Sequence, residues 1–193
     1  MVKHVYKFLI TNTLGKMVNI YVITYHHDDP SKCTALKMAR LGYAIKVSNI
    51  RELPRRCLVL NPLSNAILMS TDKEVIEKYG IAVIDVSWNS GLHVLRGLMS
   101  NRYRYNHRAL PLLFAGNPIN YGKAAKLSSL EAVSAALYIT GYKDLALRLL
   151  TIFKWGRTFY ELNKELLDNY SKCSSLDEVL KIQDEMIKKI LNN

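Results

Sequence analysis

Several things are scarce in this chain, and each scarcity excludes something. Cysteine occurs three times, at Cys33, Cys57 and Cys173, an odd number at wide spacing. That pattern forms neither a disulfide framework nor a Cys-x-x-Cys metal site, and it suits reduced thiols in a cytoplasmic protein. No stretch approaches the roughly 18 apolar residues of a membrane helix. The opening MVKHVYKFLITNTLGK has a short apolar run but no small-residue cleavage site, so it does not read as a signal peptide. A strand pattern starts directly after Met17, so residues 1–16 read either as a loose N-terminal extension or as a misassigned start. Phosphate-binding signatures are missing as well: there is no GxGxxG, no GxxxxGK[ST] and no GxSxG. Acidic residues are the most unevenly missing. Between Val86 and Leu130 there is no Asp or Glu at all.

What remains is an ordinary globular composition carrying an unusual charge. Of 193 residues, 49% are apolar and 22% charged, enough to bury a real core in one or two domains. Twenty-seven Lys and Arg stand against sixteen Asp and Glu, a net +11, and the isoelectric point is about 9.6. A basic protein of this kind most often meets a polyanion, nucleic acid first. The acid-free stretch holds Arg96, Arg102, Arg104, Arg108, Lys123 and Lys126, with Tyr103, Tyr105 and Tyr121 interleaved. Aromatics that stack on bases beside cations that meet phosphates make an RNA surface. Arg102, Arg104, Arg108 and Lys123 are the first candidates, with Lys32, Lys37 and Arg40 as a second set; a solvated basic loop with structural tyrosines is the plainer alternative.

The pattern along the chain is α/β first and helical later. Val18–Tyr25 (VNIYVITY) reads as a strand, Cys33–Leu41 as a short helix stopped by Gly42, and Asp72–Tyr79 as a helix ended by Gly80. Arg56–Asn61 and Ile81–Val86 are continuous apolar runs, as expected of parallel strands covered on both faces. Past residue 107, Ser128 with Glu131, Thr158 with Glu161 and Ser175 with Glu178 each have capping-box spacing, and three or four helices are expected. Leu176, Val179, Leu180, Met186, Ile187, Ile190 and Leu191 mark an apolar face on the last of them. The expected division is an α/β part over residues 17–107 and a helical part over 108–193.

Two polar groupings invite chemistry. His26, His27, Asp28 and Asp29 suggest a metal, but adjacent side chains rarely converge on one ion, and a hydrated loop is expected instead, with no metal. Asp85 ends an apolar strand, where ligands gather in open α/β sheets, and Trp88 follows three residues on. Asp85 reads either as a base beside a cofactor or nucleobase, or as a cap on the next helix.

Five segments carry a resemblance: DDPSKCTALKMARLG (28–42), VLNP (59–62), VIDVSWN (83–89), RALPLLFAGNPINYGKAAKLSSLEAVSAALYITG (108–141) and FKWGRTFYELNKELLDNY (153–170). In this order they resemble the archaeal and eukaryotic aminocarboxypropyltransferases of small-subunit ribosomal RNA. The resemblance implies a SPOUT-like N-terminal domain with a deep trefoil knot and a helical C-terminal domain that contributes to the cofactor site. It implies transfer of the 3-amino-3-carboxypropyl group of S-adenosylmethionine to N3 of a modified uridine, N1-methylpseudouridine in the eukaryotic relatives, with release of 5′-methylthioadenosine. The partner implied is small-subunit rRNA or the pre-ribosomal subunit.

By motif, the resemblance places Thr34 at the methionine end of the cofactor. Leu60 and Pro62 wall the adenine, Ile84 offers backbone groups to the ribose, Trp88 packs on the methionyl chain, and Leu110 completes the adenine pocket. Ser129 supplies a hydroxyl at a helix start. Ala125 stands where the family usually has an aromatic residue, which leaves that position a backbone role. Asn61 replaces a common Ser. Asp85 is the expected general base. A monomer is expected, with the helical C-terminus covering the surface through which many SPOUT proteins dimerise. An RNA methyltransferase on the same fold and a non-catalytic ribosome-assembly factor are the rivals.

Overall fold

The computed structural model describes residues 18–25, 33–86, 95–97 and 105–192. Five strands form one sheet: β1 (Ile20–Thr24), β2 (Ile45–Val47), β3 (Leu58–Leu60), β4 (Ile81–Asp85) and β5 (Asn106–Arg108). All pairings are parallel, in the order β2-β1-β4-β3-β5. The two longest strands lie side by side, and β4 is buried along Ile81–Ile84. Their apolar runs lack alternation because both faces are covered. Ile20, Val22, Leu58, Leu60, Ile81 and Val83 face a large core with the helices, whereas Ile23, Val59, Ala82 and Ile84 face a smaller cluster with Val47, Ile50, Leu53 and Cys57.

Among the described residues, six helices of seven residues or more accompany the sheet: α1 (Thr34–Arg40), α2 (Lys73–Tyr79), α3 (Ser129–Ile139), α4 (Lys143–Leu150), α5 (Gly156–Tyr170) and α6 (Leu176–Leu191). Helix α3 touches α1, β4, α4 and α5, so nearly all of its residues are buried. Gly80, between α2 and β4, has φ +81°, and a Cβ there would sit 2.7 Å from the Asn19 carbonyl oxygen and the Tyr21 ring. Only glycine allows that turn.

Several expectations are corrected here. Strands β2 and β5 have no counterpart in the sequence reading; each is a three-residue edge strand without an apolar run. One core runs from the sheet into the later helices, with Leu113, Leu130 and Leu137 packed among Ile20, Val22 and Leu58. Capping boxes form at Ser128 and Ser175. None forms at Thr158, because α5 already starts at Gly156, where a Cβ would collide with the Leu150 carbonyl oxygen. On α6, Val179 is buried, but Leu176, Leu180, Ile187, Ile190 and Leu191 are exposed. Among the described residues no helix is long and apolar enough to cross a membrane.

Candidate active site

In a parallel sheet every strand ends at the same edge, and here the sequence candidates gather along it. Thr24 ends β1, Leu60 ends β3 and Asp85 ends β4, while Leu110 follows β5 by two residues. Helix α1 begins at this edge, and α3 packs against β4 and α1.

Asp85 lies at the meeting point. Its carboxylate takes one hydrogen bond on each oxygen: the Cys33 thiol donates to Oδ2 at 3.0 Å, and the Ser129 hydroxyl donates to Oδ1. Cys33 is also the N-cap of α1, its Sγ accepting from the Leu36 amide at 3.3 Å. Thr34 Oγ1 accepts from the Leu130 amide at 3.3 Å, tying the start of α1 to the start of α3. Burial raises the Cys33 thiol most, and the neighbouring Asp85 adds to it, so its pKa reaches about 11 although the Leu36 amide pulls the other way. At neutral pH Cys33 is therefore a donor and not a thiolate.

Alternation sorts the remaining candidates by face. Asp85 pairs with Thr24 in the β1–β4 register, so both point toward the helical layer that holds Leu60. Thr24 Oγ1 is buried and has no hydrogen-bond partner among the described residues. Leu110 packs against the same core. The Ile84 side chain lies in the opposite cluster, so only its backbone can serve this edge. Pro62 is exposed; Asn61 beside it is buried and shapes the turn, accepting from the Leu63 amide at 2.9 Å and donating to the Leu95 carbonyl at 3.2 Å.

The NPINYG segment is held by Glu131, which is fully buried. Its carboxylate accepts from the amides of Gly116 at 2.7 Å and Asn117 at 2.9 Å, from Asn117 Nδ2 at 2.8 Å, and from the Ser128 amide at 2.6 Å. Gly116 lies so close to α5 that a Cβ would meet the Phe159 backbone at 2.5 Å. Asn163 fixes Phe114 from the other side, accepting from its amide and donating to its carbonyl, both at 2.8 Å. Ala125 adopts φ +58°, a left-handed conformation uncommon outside glycine, with its side chain exposed and its amide bonded to the Leu113 carbonyl at 2.9 Å.

The RNA candidates divide. Arg108 is engaged within the fold, donating from Nε to both Asp72 oxygens at 3.0 Å and from Nη1 to the His107 carbonyl at 2.9 Å. Lys37 holds its ammonium 4.0 Å above the Phe153 ring, itself stacked on Trp155. Arg40 and Lys123 are exposed. Trp88, Lys32, Arg102, Arg104 and the His26–Asp29 grouping lie outside the described residues. Among the described residues no group of three or more His, Cys, Asp or Glu is placed to hold a metal. Thr24, Cys33 and Asn163 carry no functional signal in the sequence, and Glu131 is marked there only by its capping-box spacing to Ser128.

A parallel α/β sheet that collects a clamped carboxylate, an unpartnered hydroxyl and an apolar wall at its C-terminal edge is a ligand-binding enzyme scaffold. Comparison with known proteins gives the family. Residues 58–187 match the family model "Ribosome biogenesis protein, C-terminal". The chain is 45% identical to the 16S rRNA aminocarboxypropyltransferase of Sulfurisphaera tokodaii over 90% of its own length and 98% of the relative's. Identity to the enzyme of the same name from Methanocaldococcus jannaschii is 42%, again over 90% and 98%. A solved structure described as the SAM-dependent rRNA:acp-transferase Tsr3 from Vulcanisaeta distributa superposes with a TM-score of 0.78 at 33% identity, covering 91% of this chain and 99% of that one. The chain belongs to the S-adenosylmethionine-dependent rRNA aminocarboxypropyltransferases. Residues 18–49 also match a model described as a possible Fer4-like domain in RNase L inhibitor. That segment contains one cysteine, Cys33, whereas a four-iron cluster takes four thiolates, so it has no cluster ligand set of its own.

Proposed function

We propose that this chain transfers the 3-amino-3-carboxypropyl group of S-adenosylmethionine to N3 of a modified uridine, N1-methylpseudouridine-like, in small-subunit rRNA, releasing 5′-methylthioadenosine. The observation that carries this is the near full-length match to relatives named 16S rRNA aminocarboxypropyltransferase, with Asp85 set at the sheet edge among hydroxyl and thiol donors. With it we propose the SPOUT-like knotted topology and the division into residues 17–107 and 108–193.

The described residues suit the cofactor. Among the described residues Thr24 Oγ1 is a buried hydroxyl with no partner, and such an atom is costly unless a ligand, water or further side chain satisfies it. Leu60 and Leu110 offer an apolar wall for adenine, Thr34 keeps its hydroxyl hydrogen to donate, and the backbone at Ile84 faces the same edge. Trp88 is the residue the resemblance assigns to the methionyl chain. The sulfonium makes three carbons electrophilic, and orientation in the slot selects the one facing the acceptor. As the N3–carbon bond forms, the carbon–sulfur bond breaks and the N3 proton must leave. Asp85 is the acceptor for that proton, with one oxygen lone-pair direction free beside each clamping bond.

The test is product analysis on small-subunit rRNA with the purified protein. 5′-Methylthioadenosine with an aminocarboxypropyl-modified uridine is expected. S-Adenosylhomocysteine would make it a methyltransferase, and no cofactor binding would leave an assembly factor. Asp85→Asn should lower single-turnover transfer by about 10²–10⁴-fold while the fold and cofactor binding persist.

A further inference from the structure

The three cysteines are all buried, and two have plain surroundings. Cys57 donates to the carbonyl oxygens of Gly80 at 3.4 Å and Leu58 at 3.6 Å, and Cys173 to that of Asn169 at 3.4 Å. Cys33 differs. Its thiol reaches a side-chain carboxylate 52 residues away, at the proposed site, while its sulfur caps α1.

We infer that Cys33 is a positioning residue for the transfer: with Ser129 it clamps the two oxygens of Asp85 and sets the plane of that carboxylate toward the reacting atoms. This rests on the role proposed for Asp85. A carboxylate on the last residue of a strand has two side-chain torsions and no neighbour beyond it in the strand. One donor fixes one oxygen and leaves the plane free to swing; two donors, on separate oxygens from separate helices, remove that freedom. Thr34 reinforces the frame by bonding the Leu130 amide, so the two donors cannot drift apart without breaking a further hydrogen bond. Because the thiol stays protonated, the clamp persists across the neutral range. A misplacement of about 1 Å at the reacting groups can reduce rate about 10²-fold, so the clamp matters through geometry.

Two chemical roles of Cys33 must be separated, the cap on Leu36 and the bond to Asp85. The experiment is a double-mutant cycle of Cys33→Ala and Asp85→Asn, read as single-turnover transfer and as S-adenosylmethionine affinity, with thermal unfolding of every variant and with Cys33→Ser as the rescue. Cys33→Ala should lower transfer about tenfold in the wild-type background and less than about twofold in the Asp85→Asn background. Cys33→Ser, which can both cap and donate, should restore most of the rate. An independent signature comes from the protein without cofactor: the S–H stretch of Cys33 in the infrared should shift in Asp85→Asn, while those of Cys57 and Cys173 stay put. A full tenfold loss in both backgrounds, with an unmoved S–H stretch, would make Cys33 a helix cap only and overturn the inference. Wild-type transfer by folded Cys33→Ala would do the same. Wild-type transfer by Asp85→Asn would overturn the role of Asp85 itself, and that of Cys33 with it.

Discussion

Arg108 and Asp72 form the most consequential ion pair on the sheet's edge. Asp72 is 6% exposed at its side chain and Arg108 25%, with a further contact from Nη2 at 2.9 Å. Asp72 also accepts from the Met69 amide, so the pair binds β5 to the turn before α2. Arg108→Gln leaves the aspartate's charge half-satisfied in a buried place. Hydrogen bonds to charged groups contribute about 1.5–3 kcal/mol each, so a loss near 2 kcal/mol is expected. Denaturant unfolding should show it as a lower midpoint with an unchanged slope. Asp168 carries a pH-dependent counterpart. The Tyr138 hydroxyl at 2.7 Å and the Lys143 ammonium at 3.1 Å hold its carboxyl below the ordinary range, Tyr138 contributing most. A depressed folded value means the unfolded chain binds the proton more readily. The stabilisation is therefore present above about pH 4, the ordinary carboxylate value, and is lost as pH falls through the depressed one. Asp168→Asn should lower the Tm at pH 7 and cease to differ from wild type in strong acid.

At the scale of elements, α3 governs the site. Its N-terminus supplies Ser129 to Asp85, and its capping residue Glu131 holds the NPINYG loop by three further bonds. Glu131→Gln replaces an acceptor-only group by one with a single acceptor oxygen and two donors. At least one buried amide then loses its partner, costing about 1–3 kcal/mol. Hydrogen exchange should accelerate at Gly116 and Asn117 before it does in the sheet. Much of this frame is legible in sequence. The apolar run 81–84 gives a doubly covered strand, and the Asp85 that ends it marks the edge where ligands gather in such sheets. Ser128-x-x-Glu131 gives the helix start. What cannot be read there is long-range or non-periodic. The bond from Cys33 to Asp85 spans 52 residues. The strand Asn-His-Arg at 106–108 has no apolar alternation, since an edge strand of three residues is held by its neighbour's backbone. Arg108 reads as a phosphate contact until Asp72, 36 residues away, is placed against it. The start of α5 follows Gly156 packing under Leu150, which outweighs the capping spacing at Thr158.

For the molecule as a whole, the charge of +11 has to find an RNA surface, and the described structure narrows where. Arg108 is engaged within the fold, and Lys37 lies over Phe153. The loop anchored by Glu131 instead presents Lys123 and Lys126 to solvent beside Tyr121, 62% exposed, and Ile119, 80% exposed. Cations beside an exposed ring on a rigidly tethered loop are what single-stranded RNA requires, the ring taking a base and the ammonium groups the phosphates. Each phosphate contact contributes about 0.7 to the slope of log affinity against log salt for a single strand. Replacing Lys123 and Lys126 with Gln should therefore flatten that slope by about one to one and a half, with cofactor affinity unchanged. Tyr121→Ala should lower affinity about tenfold, since stacking on one base is worth about 1–3 kcal/mol, and should leave the slope where it was. Filter binding of the rRNA fragment across a salt series, beside calorimetric titration of the cofactor, reads all three. An unaltered slope in the double variant would move the surface to Arg102, Arg104 or the α1 side at Lys32 and Arg40. A flattened slope together with the stacking loss would place the RNA surface on the loop that Glu131 anchors.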